Sequence, residues 1–443
     1  MLIPLSRPLV AALSMLVLVS GSGAAAASTR SPVTPTLRAV PGSALPALRG
    51  AARVAPTAAA RPIDVTVSLR PRNASLLAYK ARTSSGSKPM TTAQLRSLFA
   101  PSPADRATVV AYMRGHGLHL ERSGLLTLSF HGSAAAASRA FHVGLSSYRG
   151  ADGHVFRAPD AAVRLPAAIS PLVSSVTGLD TATKLQSLAT GPELTPHTAV
   201  PAPCTAAAHA KHIYGGYLPG DLATAYGHRS LIEGGNDGTG ESIALVEFSN
   251  YKSSDISSFK SCFGLTTPVH KRPINGGSNT TSGAIEAELD IEVALANAPG
   301  LSSVEVYTAP NNIAQILPMV DQMVNTAAST NTYIVSDSWG LCEDFLPPSF
   351  LQAESDELQL AAAAGLSFYA ASGDSGSSAC EPQQPSNTKL VVDDPASQPF
   401  VTGVGGTSVG IDKHGDRVWE YGWQNAYSPL CGKTKIIPRS SAR

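Results

Sequence analysis

The stretch Ser242-Ile-Ala-Leu-Val-Glu-Phe248 decides the fold. It is an apolar run that follows turn residues at Asn236–Gly240. Such a run, bounded by a turn, reads as a strand buried on both faces. Working outward, a helix is expected over Ser282–Ala298, stopped by Pro299-Gly300. A strand follows at Ser303–Tyr307, a helix at Ile313–Ala327, and a strand at Tyr333–Ser336 that runs into Ser338-Trp339-Gly340. The next helix, Phe350–Ala364, is capped by Gly365, and strand Leu366–Ala370 leads into Ser372–Gly376. Strand–helix alternation with short connections implies a parallel sheet covered by helices. Ligands of such sheets bind at the carboxyl ends of the strands. Trp339 and Asp374 both fall there.

The residues upstream follow another pattern. Met1–Ala27 reads as a signal peptide: Arg7 supplies the charge, Leu9–Ser20 the apolar region and Ala24–Ala27 the small residues for cleavage. The apolar region is shorter than the roughly 20 residues of a membrane span. The mature chain is therefore expected outside the cell, where disulfides persist. Residues 28–62, rich in Ala, Pro and Arg, are expected to be a disordered leader. From Ile63, Val65, Val67 and Leu69 alternate as in a strand. Helices are expected at Thr91–Phe99, Ala104–His116, Ser133–Phe141 and Ala168–Val176, with strands at Leu125–Phe130 and Phe156–Ala158. Residues 63–180 thus form a small α+β unit, and 181–203 a linker before a second domain at 204–443.

Composition excludes some functions. Lys and Arg number 33 against 32 Asp and Glu, so there is no basic field to recruit nucleic acid. Charged residues make up 15%, too few for a polyelectrolyte tail. The five cysteines are an odd count for a chain that forms disulfides.

Few residues can carry chemistry. Glu286 and Asp290 lie one helical turn apart on one face, whereas Glu288 points elsewhere. If the pair is buried, one carboxyl stays ionised and its neighbour holds a proton, which makes a carboxylate base. The plainer explanation is a solvated acidic face. Asp374 lies in Gly-Asp-Ser-Gly; it is either a turn residue bonding its own backbone or an acid held at the sheet's mouth. A trypsin-like role for Ser375 is rejected, because that fold is all-β.

At this level the sequence resembles the sedolisins, the serine-carboxyl peptidases of kumamolisin and tripeptidyl-peptidase type. Ala140-Phe141, Phe156-Arg157-Ala158-Pro159 and Val176-Thr-Gly178-Leu179 are similar to the family's activation domain. Tyr217-Leu-Pro219, Asp237-Gly238-Thr-Gly240, the Glu286–Asp290 helix, Ser338-Trp339-Gly340, Ser372–Gly376, Pro395-Ala396-Ser397 and Val404–Thr407 then follow in the family's order. The resemblance implies a subtilisin-like parallel sheet covered by helices, incomplete at its C-terminal end, preceded by an α+β ferredoxin-like pro-domain. It implies Glu286 as general base, Asp290 as its orienter and Asp374 as neutral donor to the oxyanion. Ser338, Trp339 and Gly340 would form the substrate cleft. It implies peptide or protein substrates, the pro-domain as intramolecular inhibitor and a monomer that touches neither nucleic acid nor membrane. Acid would release the pro-domain and trigger cleavage within Thr181–Pro203.

The sequence departs from the family in one respect. The family's nucleophile stands in Gly-Thr-Ser with a proline shortly after; in this chain Gly406-Thr407-Ser408 continues Val409-Gly-Ile-Asp412 and aligns with an earlier, structural motif. Ser408 is therefore not expected to be the nucleophile. The calcium that the family implies would bind in a segment expected to be missing. Residues 424–443 read as a divergent tail. Cys342 and Cys380 leave neighbouring strand ends, which permits a bridge; Cys204 can pair with Cys262, leaving Cys431 over. Two readings compete with the peptidase: a non-catalytic peptide-binding or inhibitory relative, and a glycosidase using the Glu286–Asp290 pair.

Overall fold

A computed structural model describes residues 36–84, 88–150, 153–187, 205–214, 216–384, 387, 389–412 and 414–422. The expected signal peptide, much of the linker and the tail lie outside the described residues.

The first half is built on a four-stranded antiparallel sheet. Its elements are β1 (Pro62–Leu69), α1 (Ala74–Arg82), α2 (Thr92–Leu98), α3 (Pro103–Gly115), β2 (His119–Ser123), β3 (Thr127–Ser133), α4 (Ala134–Phe141) and β4 (Val173–Thr177). The strands lie in the order β2-β3-β1-β4, the ferredoxin-like arrangement. β1 alternates as the sequence indicates. Val65, Val67 and Leu69 pack with Val109, Met113 and Phe141 in this unit's own core. The polar partners Thr66 and Ser68 are buried too. They face the second domain, and the Thr66 hydroxyl donates to Ala314 O at 2.9 Å.

Two expectations fail in this half. Ala168–Val176 is not a helix: after a short 3-10 turn at Ser170–Leu172 it becomes β4, pairing Val67 with Val176. Val173, Val176 and Thr177 are β-branched, and pairing beside β1 outweighs the apolar spacing that suggested a helix. Residues 36–62 are not a disordered leader. Leu37–Ala39 pairs with Arg164–Pro166, and Ala52–Pro56 pairs with Leu145–Arg149. Every residue of Ala52–Pro56 is exposed, so backbone pairing holds the strand and its side chains carry no burial signal.

The second half is a six-stranded parallel sheet. The chain first lays down β5 (Gln186–Ser187), then β6 (Ser242–Glu247), β7 (Val269–Pro273), α5 (Ala284–Asn297), β8 (Ser303–Thr308), α6 (Ile316–Thr330) and β9 (Thr332–Asp337). There follow β10 (Trp339–Cys342), α7 (Pro348–Ala363), β11 (Ser367–Ala371), β12 (Asp393–Asp394) and β13 (Val401–Val404). The order β7-β8-β6-β9-β11-β13 is parallel throughout. α6 and α7 cover one face, with Met319, Met323 and Leu358 packed on Val246 and Val335. α5 covers part of the other, packing Ala287, Ile291 and Leu295 on Leu245 and Val304. Beyond α5 that face carries exposed apolar side chains, Ile334 and Tyr369 among them.

Candidate active site

β6, β9 and β11 end side by side, and the residues singled out above gather at those ends. Glu286 lies in the first turn of α5 and is only 4% exposed. Gly283 precedes the helix at φ 92°; a Cβ there would meet the Trp339 indole at 2.7 Å. The glycine thus lets the helix start against the ring and points Glu286 into the cleft. One turn on, Asp290 accepts from the Ser338 hydroxyl at 3.0 Å. Glu288 is turned away, as expected, and accepts the Lys252 amide at 2.9 Å.

A third acid joins them. Glu247, the last residue of β6, is fully buried, and its Oε2 accepts from Trp339 Nε1 at 2.9 Å. Its charge and that of Asp290 act on one another. Burial, and then the charge of Asp290, holds Glu247 well above the usual carboxyl range. Burial, and then the charge of Glu286, raises Asp290 to about 7. Three carboxyls that cannot all ionise share one site. Sequence reading missed Glu247. Its signal was a lone acid closing an otherwise apolar buried strand.

Asp374 lies beyond β11 and lines one cleft of about 660 Å³ with Glu286, Asp290, Ser338 and Gly406. Ile243, Leu289, Val293 and Ile334 give that cleft apolar walls. Gly373, at φ 88°, makes the turn and leaves room for the Asp393 carboxylate, which a Cβ would meet at 1.9 Å. Asp393 is itself raised to about 7, by burial and then by the charge of Asp374. Ser408 is elsewhere: it pairs with Tyr421 in an exposed hairpin.

Trp339 is buried edge-on against Phe248, and β10 offers its backbone to the cleft. That backbone is taken by β5, with Gln186 opposite Gly340 and Ser187 opposite Trp339, antiparallel. The Ser187 hydroxyl donates to Glu286 Oε2 at 2.5 Å. The start of the segment expected to be a linker, 181–203, therefore lies in the cleft as an added strand.

Cys342 and Cys380 are disulfide-bonded. Cys262 lies on the Ser253–Phe263 helix, while Cys204 and Cys431 are outside the described residues. No described group of three or more His, Cys, Asp or Glu side chains is arranged to hold a metal ion. The calcium implied by the resemblance therefore fits no described residues. No described helix is long and apolar enough to cross a membrane.

Residues 49–182 match the family model described as "Pro-kumamolisin, activation domain". The chain is 33% identical to kumamolisin from Bacillus sp. (strain MN-32) over 78% of its own length and 62% of that protein. It is 30% identical to sedolisin from Pseudomonas sp. (strain 101) over 74% of its length and 56% of that protein. The chain thus spans less than two thirds of each of these curated relatives. A solved Pseudomonas sedolisin, a serine-carboxyl proteinase complexed with two molecules of pseudo-iodotyrostatin, aligns at TM-score 0.42 and 23% identity over 48% of this chain and 60% of that one.

Proposed function

We propose, for a chain that is homologous to kumamolisin and sedolisin and carries their activation domain, that it is the precursor of an exported serine-carboxyl peptidase working at acidic pH. The observation that carries this reading is the hydroxyl of Ser187 hydrogen-bonded to Glu286. A carboxylate so placed can accept the proton of a serine that attacks a peptide carbonyl.

The neighbours decide which acid is the base. Asp290 and Glu247 hold their protons far above the ordinary carboxyl range. At acidic pH both are neutral, and the acid that receives a serine hydroxyl is Glu286, which is the base in this reading. Asp290, held by the Ser338 hydroxyl, would then orient Glu286. In its protonated form, Asp374 would donate to the oxyanion of the tetrahedral intermediate. Above about pH 7, Asp290 loses its proton and the trio accumulates charge, so turnover falls. β5 lies where a substrate strand would pair with β10, so the pro-domain blocks the cleft until 181–203 is cut.

Ser408 is not assigned as the nucleophile in this reading. The only Gly-Thr-Ser of the chain has no proline after it, and its Ser408 lies in the exposed hairpin. Hydrolysis by this chain is accordingly expected to be impaired.

The test is peptide hydrolysis by the purified protein at pH 4 and pH 7. Any turnover should be confined to acid and should drop at least about 100-fold in Glu286→Ala, the scale of a lost general base. A neutral optimum, or a rate indifferent to Glu286, would sink the proposal. Peptide capture without turnover would favour the second reading, a non-catalytic peptide-binding relative. The occupied β10 edge is what supports that reading.

A further inference from the structure

The near-zero net charge of the chain hides two opposite halves. Residues 36–180 carry 17 Lys and Arg against six Asp and Glu, whereas residues 204–443 carry 13 against 25. The excess is purest over 65–104, which holds Arg70, Arg72, Lys80, Arg82, Lys88 and Arg96 and no acid. The fold gathers these cations around α1 and α2. The Arg72 guanidinium donates to Ala100 O at 2.5 Å and to Ser97 O at 2.7 Å, and Asn73 Nδ2 donates to Leu98 O at 2.8 Å. These bonds close the end of α2, with Arg96, on the start of α1. α1 buries Leu77 and Ala81, one turn apart. Its opposite side carries Leu76, 38% exposed, and Tyr79, 56% exposed. At helical spacing Lys80 and Arg82 flank that pair, and both are exposed, as are Lys88 and Arg96. The other two cations are engaged: Arg72 on the carbonyls, and Arg70 on Asp356 of α7, whose carboxyl it draws down against burial.

We propose that the outer side of α1 and α2 docks the protein on an anionic phospholipid surface. Lys80, Arg82, Lys88 and Arg96 meet headgroup phosphates, which a guanidinium grips through two parallel hydrogen bonds. Leu76 and Tyr79 enter the headgroup layer between them. That apolar pair decides between partners. A soluble polyanion such as a nucleic acid would use the cations and gain nothing from an exposed leucine. A bilayer interface takes aliphatic and aromatic side chains as well as cations. A cluster of four cations beside an amphipathic helix is enough for such attachment, and no spanning helix is required. The contact revises the expectation that the chain touches no membrane. The second half, with its excess of acids, is repelled by the same surface, so the protein docks with that half turned to solvent. The docking side belongs to the first half and needs none of the peptidase chemistry above. A cut within 181–203 would leave the first half on the lipid.

The test is co-sedimentation of the full chain with vesicles at roughly 0.05 M salt. Vesicles of phosphatidylcholine with about one third phosphatidylglycerol should bind it, and vesicles of phosphatidylcholine alone should not. Reversing three cations together, Lys80→Glu, Arg82→Glu and Arg96→Glu, should weaken binding at least about 100-fold, at roughly fivefold or more for each cation lost. The same number of reversals elsewhere on the first half, Arg49→Glu, Arg114→Glu and Arg164→Glu, should cost less than about tenfold. Leu76→Ser with Tyr79→Ser should weaken vesicle binding at least about tenfold and leave binding to single-stranded DNA unchanged. One measurement needs no variant. Bound vesicles should shield Lys80 and Lys88 from acetylation and leave Lys252 and Lys260 as reactive as before. Equal binding to uncharged vesicles, equal losses in the two triple variants, or uniform shielding of all four lysines would overturn the proposal. So would vesicle binding indifferent to Leu76 and Tyr79, which would assign the cations to a soluble polyanion instead.

Discussion

Asp321→Ala is expected to loosen the pro-domain from the second half by roughly two to three orders of magnitude. Asp321 lies on α6 and is 1% exposed. Its Oδ1 accepts the Leu125 amide at 2.7 Å, and its Oδ2 accepts the amides of Leu126 and Thr127 and the Thr127 hydroxyl at 2.7 Å. The β2–β3 turn of the pro-domain is thus plugged into one buried carboxylate of the other domain. On the same turn, Arg106 donates to the carbonyls of Gly124 and Leu125 at 2.8 and 2.9 Å. Alanine would strand several buried N–H groups, each costing about 1–3 kcal/mol, and leave Arg106 without its counter-charge. A net loss of about 3–5 kcal/mol follows, as when one side of a buried charged contact is deleted. Amide exchange at Leu125–Thr127 should accelerate at least about 100-fold, the equivalent of 2.7 kcal/mol. Asp321→Asn, which keeps an acceptor but not the charge, should fall between. Exchange equal to that of the unmodified protein would show that packing alone holds the domains.

That contact illustrates what the sequence could not reveal. The strands of the catalytic half were legible because a buried parallel sheet needs apolar runs, and Ser242–Glu247 and Ser303–Thr308 are such runs. The Glu286–Asp290 face was legible because helical spacing is fixed at 3.6 residues per turn. β5 was not, because Gln186-Ser187 is polar and extended only by pairing with β10. Residues 52–56 form a strand without burying a side chain, so composition alone suggested disorder there. Thr66 and Ser68 are polar yet buried, because a second domain covers the face that alternation assigns to water. Glu247 was hidden by its apolar neighbours, and its role appears only once α5 brings Asp290 beside it. In each case the missing information is a contact between segments far apart in the chain.

The same buried acids set an unusual pH dependence of stability, and the protein should melt higher at pH 4 than at pH 8. Asp290 and Asp393 are each raised to about 7 by burial first. Unfolded, an aspartate titrates near 3.9. Between those values the folded state binds protons that the unfolded state has released, so stability falls as pH rises through about 4 to 7. Three pK units correspond to roughly 4 kcal/mol per group at the top of the window. Acids in contact titrate as a set, so their contributions do not simply add. Glu354 behaves alike: burial first, then the charge of Asp394, holds it well above the ordinary range, with Gln398 bonded to both. Opposing terms are weaker. Glu305 and Asp221 are held low by Arg272 and Lys211, stabilising above pH 4 and losing that as pH falls. Lys211 and Arg272 are 37% and 43% exposed, so solvent partly screens these pairs. A drop of about 10 °C in melting temperature from pH 4 to pH 8 follows, at 2–4 °C per kcal/mol for a domain of this size. Glu354→Gln should flatten that slope, because glutamine keeps the Gln398 contact and cannot ionise. Greater stability at pH 8, or an unchanged slope in Glu354→Gln, would contradict the assignment. A fold that keeps its buried carboxyls neutral only in acid would hold Asp290 in the protonation state the proposed chemistry needs, and in the same pH range.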